Sequence, residues 1–543
     1  MIILRLNNIS FSYPGGLVLE NLTWSVQNTD KLGLVGPNGA GKSTILQLMA
    51  GQVTVDSGVV TTAKGVTVGY LPQEVILAPQ QTVLLEALAA SPRLAAIEAE
   101  LQQIEAALSD PAVYGAEAAL TRTLDRQSHL LLAYEEAGGL SYENTVKSTL
   151  RQLGFTDNDF TLPTTVLSGG QKKLLALAKL AINRPDLLLL DEPDNHLDLA
   201  SKTYLEKFIR SYPGAIIIVS HDRYLLDEVA DGIVELAEGK LEFYPGNYSV
   251  YMTEKELRRL RQAQLYAAQQ KEIARLEAAI ARFELWASLV VDERHIKQAR
   301  NKRRQLEQMD KVDKPVEQKR MDLHLNGWRG SDKVLEIKDL VKAFADELIL
   351  AGVNLLLWHG ERVGLIGPNG AGKSVLLRCI AGEESPTAGV IKIGPSVRLG
   401  IYTQEHQNLA YDKNLVETVR DLKPMYEDQA VAFLGKFLFS YQKARQQTVG
   451  SLSGGERSRL QMALLMLQQP NFLLLDEPTN NLDIQSAEVL EQALDEFNGA
   501  VLVISHDRYF LDKVVDRIVV LEPNQGVLTE YLGGYTDYLA ARS

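Results

Sequence analysis

Gly36-Pro37-Asn38-Gly39-Ala40-Gly41-Lys42-Ser43 returns letter for letter at Gly367-Pro368-Asn369-Gly370-Ala371-Gly372-Lys373-Ser374, and the reading of this octapeptide decides the fold. A short apolar strand leads into each copy, Lys31-Leu32-Gly33-Leu34-Val35 in the first and Arg362-Val363-Gly364-Leu365-Ile366 in the second. Glycines at these spacings let the backbone curl until successive N–H groups point at phosphate oxygens. The helix expected to follow offers its N-terminus to the same anion. Lys42 and Lys373 are expected to reach the β- and γ-phosphates of a nucleotide, and Ser43 and Ser374 to bind Mg²⁺. Thr44 follows the first loop where Val375 follows the second.

The repeat extends well beyond the loops. Leu167-Ser168-Gly169-Gly170-Gln171 returns as Leu452-Ser453-Gly454-Gly455-Glu456, and Ser220-His221-Asp222-Arg223-Tyr224 returns at Ser505–Tyr509. Lys42 to Gln73 and Lys373 to Gln404 are both 31 residues; Ser168 to Asp191 and Ser453 to Asp476 are both 23; Glu192 to His221 and Glu477 to His506 are both 29. The lysines, however, are 331 residues apart and the signature serines only 285, so the first copy carries about 46 residues more between these motifs. A duplicated domain with one insertion accounts for the pattern.

The insertion falls within 85–142. Leu94, Ile97, Leu101, Ile104 and Leu108 share one helical face, with Ser91-Pro92 as its start, and Asp110-Pro111 breaks the run. Leu120, Leu124, Leu131 and Tyr134 continue on a second helix, giving a helical hairpin. Between the copies, 251–330 reads as charged helical linker. One helix is expected from about Thr253 to Leu285, with Leu257, Leu260, Ile273, Leu276, Ile280 and Phe283 packing the two linker helices together. The second is expected from about Asp292 to Met309, ended by Lys314-Pro315.

Leu187-Leu188-Leu189-Leu190-Asp191-Glu192 and Phe472-Leu473-Leu474-Leu475-Asp476-Glu477 are buried-strand patterns ending in two acids. The first acid of each pair suits the Mg²⁺ shell. The second, Glu192 or Glu477, suits orienting and deprotonating an attacking water.

Composition narrows the classes. The 543 residues exceed one core and carry a net charge of −13, which argues against uniform attraction to nucleic acid or an anionic membrane. A single cysteine, Cys379, forbids an intramolecular disulfide and fits a cytoplasmic setting, most simply as a small buried residue. No signal peptide and no apolar run near 18 residues is expected. Against the acidic whole, Arg294, Lys297, Arg300, Lys302, Arg303 and Arg304 place six cations in eleven positions without an acid. From Thr253 to Arg320 the charge is +6, and such a concentrated positive element favours oriented phosphate contact. A solvated, salt-bridged helix face is the competing reading.

These motifs together resemble the ATP-binding-cassette superfamily, and two cassettes with a charged helical linker resemble its F subfamily. The resemblance implies an α/β fold of two P-loop cassettes in tandem, at 1–250 and 331–543. A helical hairpin linker joins them, and a helical arm is inserted in the first. It implies an ATPase that is a cytoplasmic monomer, with its cassettes paired head to tail. One ATP site would join Lys42, Ser43, Asp191, Glu192 and His221 with Ser453, Gly454 and Gly455. The other would join Lys373, Ser374, Asp476, Glu477 and His506 with Ser168, Gly169 and Gly170. By the same resemblance Tyr13 and Phe344, each 23 residues before its loop, stack on adenine; a buried core aromatic is the alternative. Gln73 and Gln404 sense Mg²⁺ and water, and the histidines hold the γ-phosphate and the water. Asp194 departs from the family pattern, which Thr479 keeps. The linker cations match the family's element that enters the ribosomal exit site and touches peptidyl-site tRNA and rRNA, implying regulation of translation by ATP-gated closure. Antibiotic resistance by ribosome protection, or an ATPase subunit serving separate membrane proteins, are the alternatives.

Overall fold

A computed structural model of the chain describes all residues except 14–15, 78–80, 109–116, 137–138, 238, 290–292, 310–320, 345–346, 404–408, 523–527 and 543. The leucine runs that end in paired acids form strands Leu187–Asp191 and Phe472–Asp476. Alternate side chains of such a strand leave on opposite faces. Leu187 and Leu189 enter one apolar core, with Ile45 and Leu46, while Leu188 and Leu190 enter another, with Leu174 and Ile209. Phe472 and Leu474 part from Leu473 and Leu475 in the same way. A strand buried on both faces needs no polar alternation, which is why these runs are continuously apolar.

Each such strand is second in a six-stranded sheet. The first sheet runs Val68–Leu71, Leu187–Asp191, Ala215–Val219, Lys31–Val35, Gly232–Ala237, Lys240–Pro245. The second runs Leu399–Tyr402, Phe472–Asp476, Ala500–Ile504, Arg362–Ile366, Arg517–Leu521, Leu528–Leu532. Neighbours from the first through the fifth strand pair parallel, with Leu190 opposite Ile218 and Leu34 opposite Val219 in the first copy. Parallel pairing puts the carboxyl ends of these strands along one edge, the usual ligand edge of such sheets. A three-stranded antiparallel sheet accompanies each: Gly16–Gln27, Ile2–Tyr13 and Ser57–Thr62, then Glu347–Trp358, Lys333–Phe344 and Ala388–Ile393.

The inserted arm contains helices Pro92–Leu108 and Glu117–Glu136, followed by Gly139–Gln152. Ser91 Oγ accepts from the Leu94 amide at 3.4 Å, and Leu94 and Ile104 are buried. Leu124 and Leu131 on the second helix are exposed. The expected break at Asp110-Pro111 lies outside the described residues.

Residues Tyr244–Lys319 form a compact unit of their own. Its helices, Tyr248–Leu289 and Glu293–Glu307, pack against each other. The first, with 42 residues, is about 63 Å long at 1.5 Å per residue and begins earlier than the apolar spacing suggests. The second, with 15 residues, covers about 22 Å and so shields only part of its partner. Leu276, Ile280 and Ala299 are buried accordingly, whereas Leu257 and Leu260 are exposed and pack nothing together, contrary to expectation. The expected helix end at Lys314-Pro315 lies outside the described residues.

Candidate nucleotide sites at the cassette seam

Three neighbouring strands deliver the site of each cassette. From the edge of the first sheet, Lys31–Val35 leads into Gly36, Leu187–Asp191 into Glu192, and Ala215–Val219 into Ser220 and His221. At Gly36, φ is 153° and a Cβ would lie 2.3 Å from the Leu236 carbonyl oxygen, so only glycine lets the loop turn this close to the sheet. Gly41 then begins helix Lys42–Met49 in a left-handed conformation with φ 101°. Gly367 and Gly372 repeat both features before helix Lys373–Ala381.

Lys42 is buried, and its ammonium donates to the carbonyl oxygens of Gly36 and Pro37 at 2.8 and 3.1 Å. Lys373 does the same to Gly367 and Pro368 at 2.8 and 3.0 Å. Burial lowers the pKa of both amines, opposed by acids on both sides: Glu192, Asp483 and Asp191 for Lys42, and Glu477, Asp198 and Asp476 for Lys373. Asp483 and Asp198 each come from the opposite cassette. Each lysine therefore sits where the two halves meet.

Asp191 is 1% exposed, and burial raises its pKa; hydrogen bonds from Ser43 and Tyr70 oppose that rise. Among the described residues, Asp191 Oδ1 is buried with no hydrogen-bond partner. Glu192 Oε2 accepts from Gln73 Nε2 at 2.7 Å and also from Asn195. His221 Nε2 lies 3.7 Å from Glu192 Oε1. In the second copy His506 Nε2 lies 3.5 Å from Glu477 Oε1, and the His506 amide donates to Glu477 Oε2 at 3.2 Å. Burial, followed by the nearby lysine, pushes His221 down to about 4 and His506 down to about 3, so both imidazoles are neutral at pH 7. Burial and then Asp476 push the Glu477 carboxyl up to about 8. Burial and then Asp191 also raise Glu192. Gln404 lies outside the described residues.

Ser168 caps helix Gly169–Ile182 and Ser453 caps Gly454–Gln468, each in a reciprocal capping box, with Gln171 and Glu456 respectively. The loops face across to the other half. Asn38 Nδ2 donates to the Asn481 carbonyl at 3.4 Å, and a Cβ on Gly455 would lie 3.2 Å from the same Asn38 nitrogen. Asn369 Nδ2 donates to the His196 carbonyl at 3.2 Å, and its amide to Asp198 Oδ2 at 3.3 Å. Tyr13 and Phe344 end their strands 48% and 42% exposed, so neither is a buried core aromatic. Tyr13 packs edge-on against Phe11, and the Lys342 ammonium sits 4.6 Å from the centroid of the Phe344 ring.

Sequence reading gave no role to the ion pairs that close this seam. Arg223 meets Glu491, and Arg508 meets Glu206, each pair crossing between cassettes and nearly dry. Arg223 also stands over the Tyr509 ring at 4.1 Å, and Arg508 over Tyr224 at 4.2 Å. All three kinds of residue recur at the 285-residue offset of the signatures, which was the available signal. In the linker, helix Glu293–Glu307 carries all six expected cations. One of them, Arg303, is tied to Glu284 at 2.6 Å, and Lys302 donates to Gln305 at 3.0 Å.

Two P-loop cassettes, each with its loop facing the other half, define an ATP-binding-cassette ATPase. The family model described as ABC transporter matches 19–195 and 350–480, and its extension model matches 234–325. The chain is 35% identical to the energy-dependent translational throttle protein EttA of Haemophilus influenzae, covering 97% of this chain and 92% of that protein. It is 36% identical to ABC transporter F family member 2 of Arabidopsis thaliana, over 98% and 78%. To the putative ATP-binding protein YdiF of Bacillus subtilis it is 40% identical, over 99% and 82%. The chain belongs to the F subfamily of the ATP-binding-cassette family and is an ATPase. Among solved structures, the archaeal ribosome recycling factor aABCE1 shares the fold at TM-score 0.61 and 20% identity, over 98% of this chain and 92% of that one. Among the described residues no helix is long and apolar enough to cross a membrane.

Proposed function

We propose that the chain hydrolyses two ATP molecules at composite sites on the cassette seam, and uses nucleotide-driven closure to regulate translation on the ribosome. The observation that carries the first half is the reach of Asn38 to Asn481 and of Asn369 to His196 across the seam. In this reading the loops Gly36–Ser43 and Gly367–Ser374 cradle the phosphates through their amides and lysines, while the half-exposed Tyr13 and Phe344 rings stack on adenine. Ser453, Gly454 and Gly455 complete the site of Lys42; Ser168, Gly169 and Gly170 complete that of Lys373. Helix N-termini begin at both signatures, and both suit a γ-phosphate.

The residues present fit Mg²⁺. Asp191 keeps a buried oxygen without a hydrogen-bond partner beside the Ser43 hydroxyl. Among the described residues no three His, Cys, Asp or Glu side chains cluster as a metal cage, and a magnesium ion bound together with a nucleotide draws part of its shell from the substrate's own phosphates. Ser43, Asp191 and Gln73 would hold it in one site, and Ser374, Asp476 and Gln404 in the other. Bound there, it neutralises charge on the phosphate oxygens. In their ionised form Glu192 and Glu477 orient the attacking water and take its proton, and the neutral His221 and His506 hold the water and the γ-phosphate.

The ribosomal half rests on the kinship with a translational throttle protein and on a helix with six cations in an otherwise acidic chain. RNA is read through its backbone and shape, which such side chains suit. The partners are rRNA and peptidyl-site tRNA, and the setting is the cytoplasm, with a single copy of the chain pairing its own cassettes. Replacing both Glu192 and Glu477 by Gln should keep ATP binding and cut turnover by about 10²–10⁴-fold. The same variant should co-sediment with ribosomes in ATP and far less without it. Turnover near the parent rate would remove the base assignment, and sedimentation indifferent to ATP would remove the gating.

A further inference from the structure

The cassettes differ at two seam positions that belong together. Asp194 stands where the second copy has Thr479, and Lys202 stands where it has Ala487. Lys202 lies on helix Leu199–Ser211 and is buried. Its ammonium donates to Asp222 Oδ2 at 2.7 Å and, across the seam, to the main-chain oxygen of His506 at 2.9 Å. Asp194 is buried beside the same amine and Asp222, with Ser220 hydrogen-bonded to it, while Asp507 faces the amine from the second cassette. Burial opposes the charge on Lys202, yet Asp222, Asp194 and Asp507 outweigh it and hold the amine above its ordinary value. The ammonium is therefore a fixed, charged donor.

What it grips is the loop that carries the second site's chemistry. His506 holds Glu477 through its amide, 3.2 Å from Oε2, and sets its Nε2 3.5 Å from Oε1. In the first site, by contrast, Glu192 is tied through Gln73 and Asn195, and its histidine stands 3.7 Å away. Across from His221 the matching position is Ala487, whose methyl group donates nothing.

We propose that Lys202 is a positioning residue for the second ATP site: reaching from the first cassette, it fixes the His506 loop and through it Glu477, where the first site has only Ala487 at the matching position. Hydrolysis at the second site is thereby tied to correct seating of the seam. The inference rests on Glu192 and Glu477 being the catalytic bases, and its test separates the two.

Single variants isolate the sites: E192Q leaves only the second site turning over, and E477Q only the first. Adding Lys202→Ala to E192Q should lower kcat by about ten- to a hundredfold, the scale of a misplaced catalytic group, with KM for ATP changed by less than about twofold. Added to E477Q, it should leave kcat within about twofold, and K202R should restore part of the loss in E192Q. Should K202A fold poorly with Asp222 left uncompensated, the paired change K202M/D222N serves instead, because Asn still caps helix Arg223–Val229. An equal loss in both backgrounds, or no loss in E192Q, overturns the proposal. If neither Gln variant reduces turnover by itself, the base assignment fails whatever Lys202 does.

Discussion

Glu192 and Glu477 carry left-handed backbones, with φ of 48° and 49°, a conformation glutamate rarely adopts. Such strain persists where the surroundings over-determine it, and it gathers at functional sites. The consequence of burying Glu477 can be measured. Its carboxyl, ordinarily near 4.5, is pushed up to about 8, so between those values the folded chain keeps a proton that the unfolded chain releases. Stability is therefore lost as pH rises from about 4.5 to about 8, and levels off above. Glu477→Gln removes that loss. Its melting temperature relative to the parent should climb between pH 5 and pH 9, measured without nucleotide. A constant difference across that range would show that Glu477 does not carry the proton.

Among the elements, the linker helix Glu293–Glu307 separates charge that can act outward from charge already spent. Arg303 is engaged by Glu284, while Lys297, Arg300 and Arg304 are exposed. If the helix grips RNA phosphates, replacing those three by Gln should weaken ribosome binding and flatten the plot of log affinity against log salt by about two to three in slope. The change R303Q should cost less, since it breaks an existing exposed pair worth little in itself. Helix identity in this region was legible from apolar spacing, but its packing was not. Leu257 and Leu260 keep the period of a buried stripe and are nevertheless exposed, because the partner helix is too short to cover them. Spacing reports which residues share a face, and only the length of the neighbour decides how much of that face is covered.

At the scale of the molecule, the seam is closed by Arg223 with Glu491 and Arg508 with Glu206. Arg223→Ala leaves Glu491, which is 0% exposed, with Lys513 at 3.1 Å in place of two cations, and should cost about 1.5–3 kcal/mol in chemical denaturation. Replacing both partners by apolar residues of like size should cost far less. These residues were visible in the sequence as repeats without an evident task, since nothing in a single copy shows which opposing copy a charge will meet. The loops, strand-end acids and signatures were legible because phosphate chemistry fixes residue type and spacing locally. Asp194 stood out as a departure from the repeat. Its companion Lys202 did not, because eight residues and a turn of chain separate two groups that meet only in the fold.

The reciprocity of those ion pairs has a further implication. Each cassette owns both an arginine and a glutamate of the closing set, so either one holds a surface complementary to a copy of itself. Severed from its neighbour, a half has the means to form a symmetric homodimer, and the covalent tether also raises the local concentration of the unlike half above that of any rival.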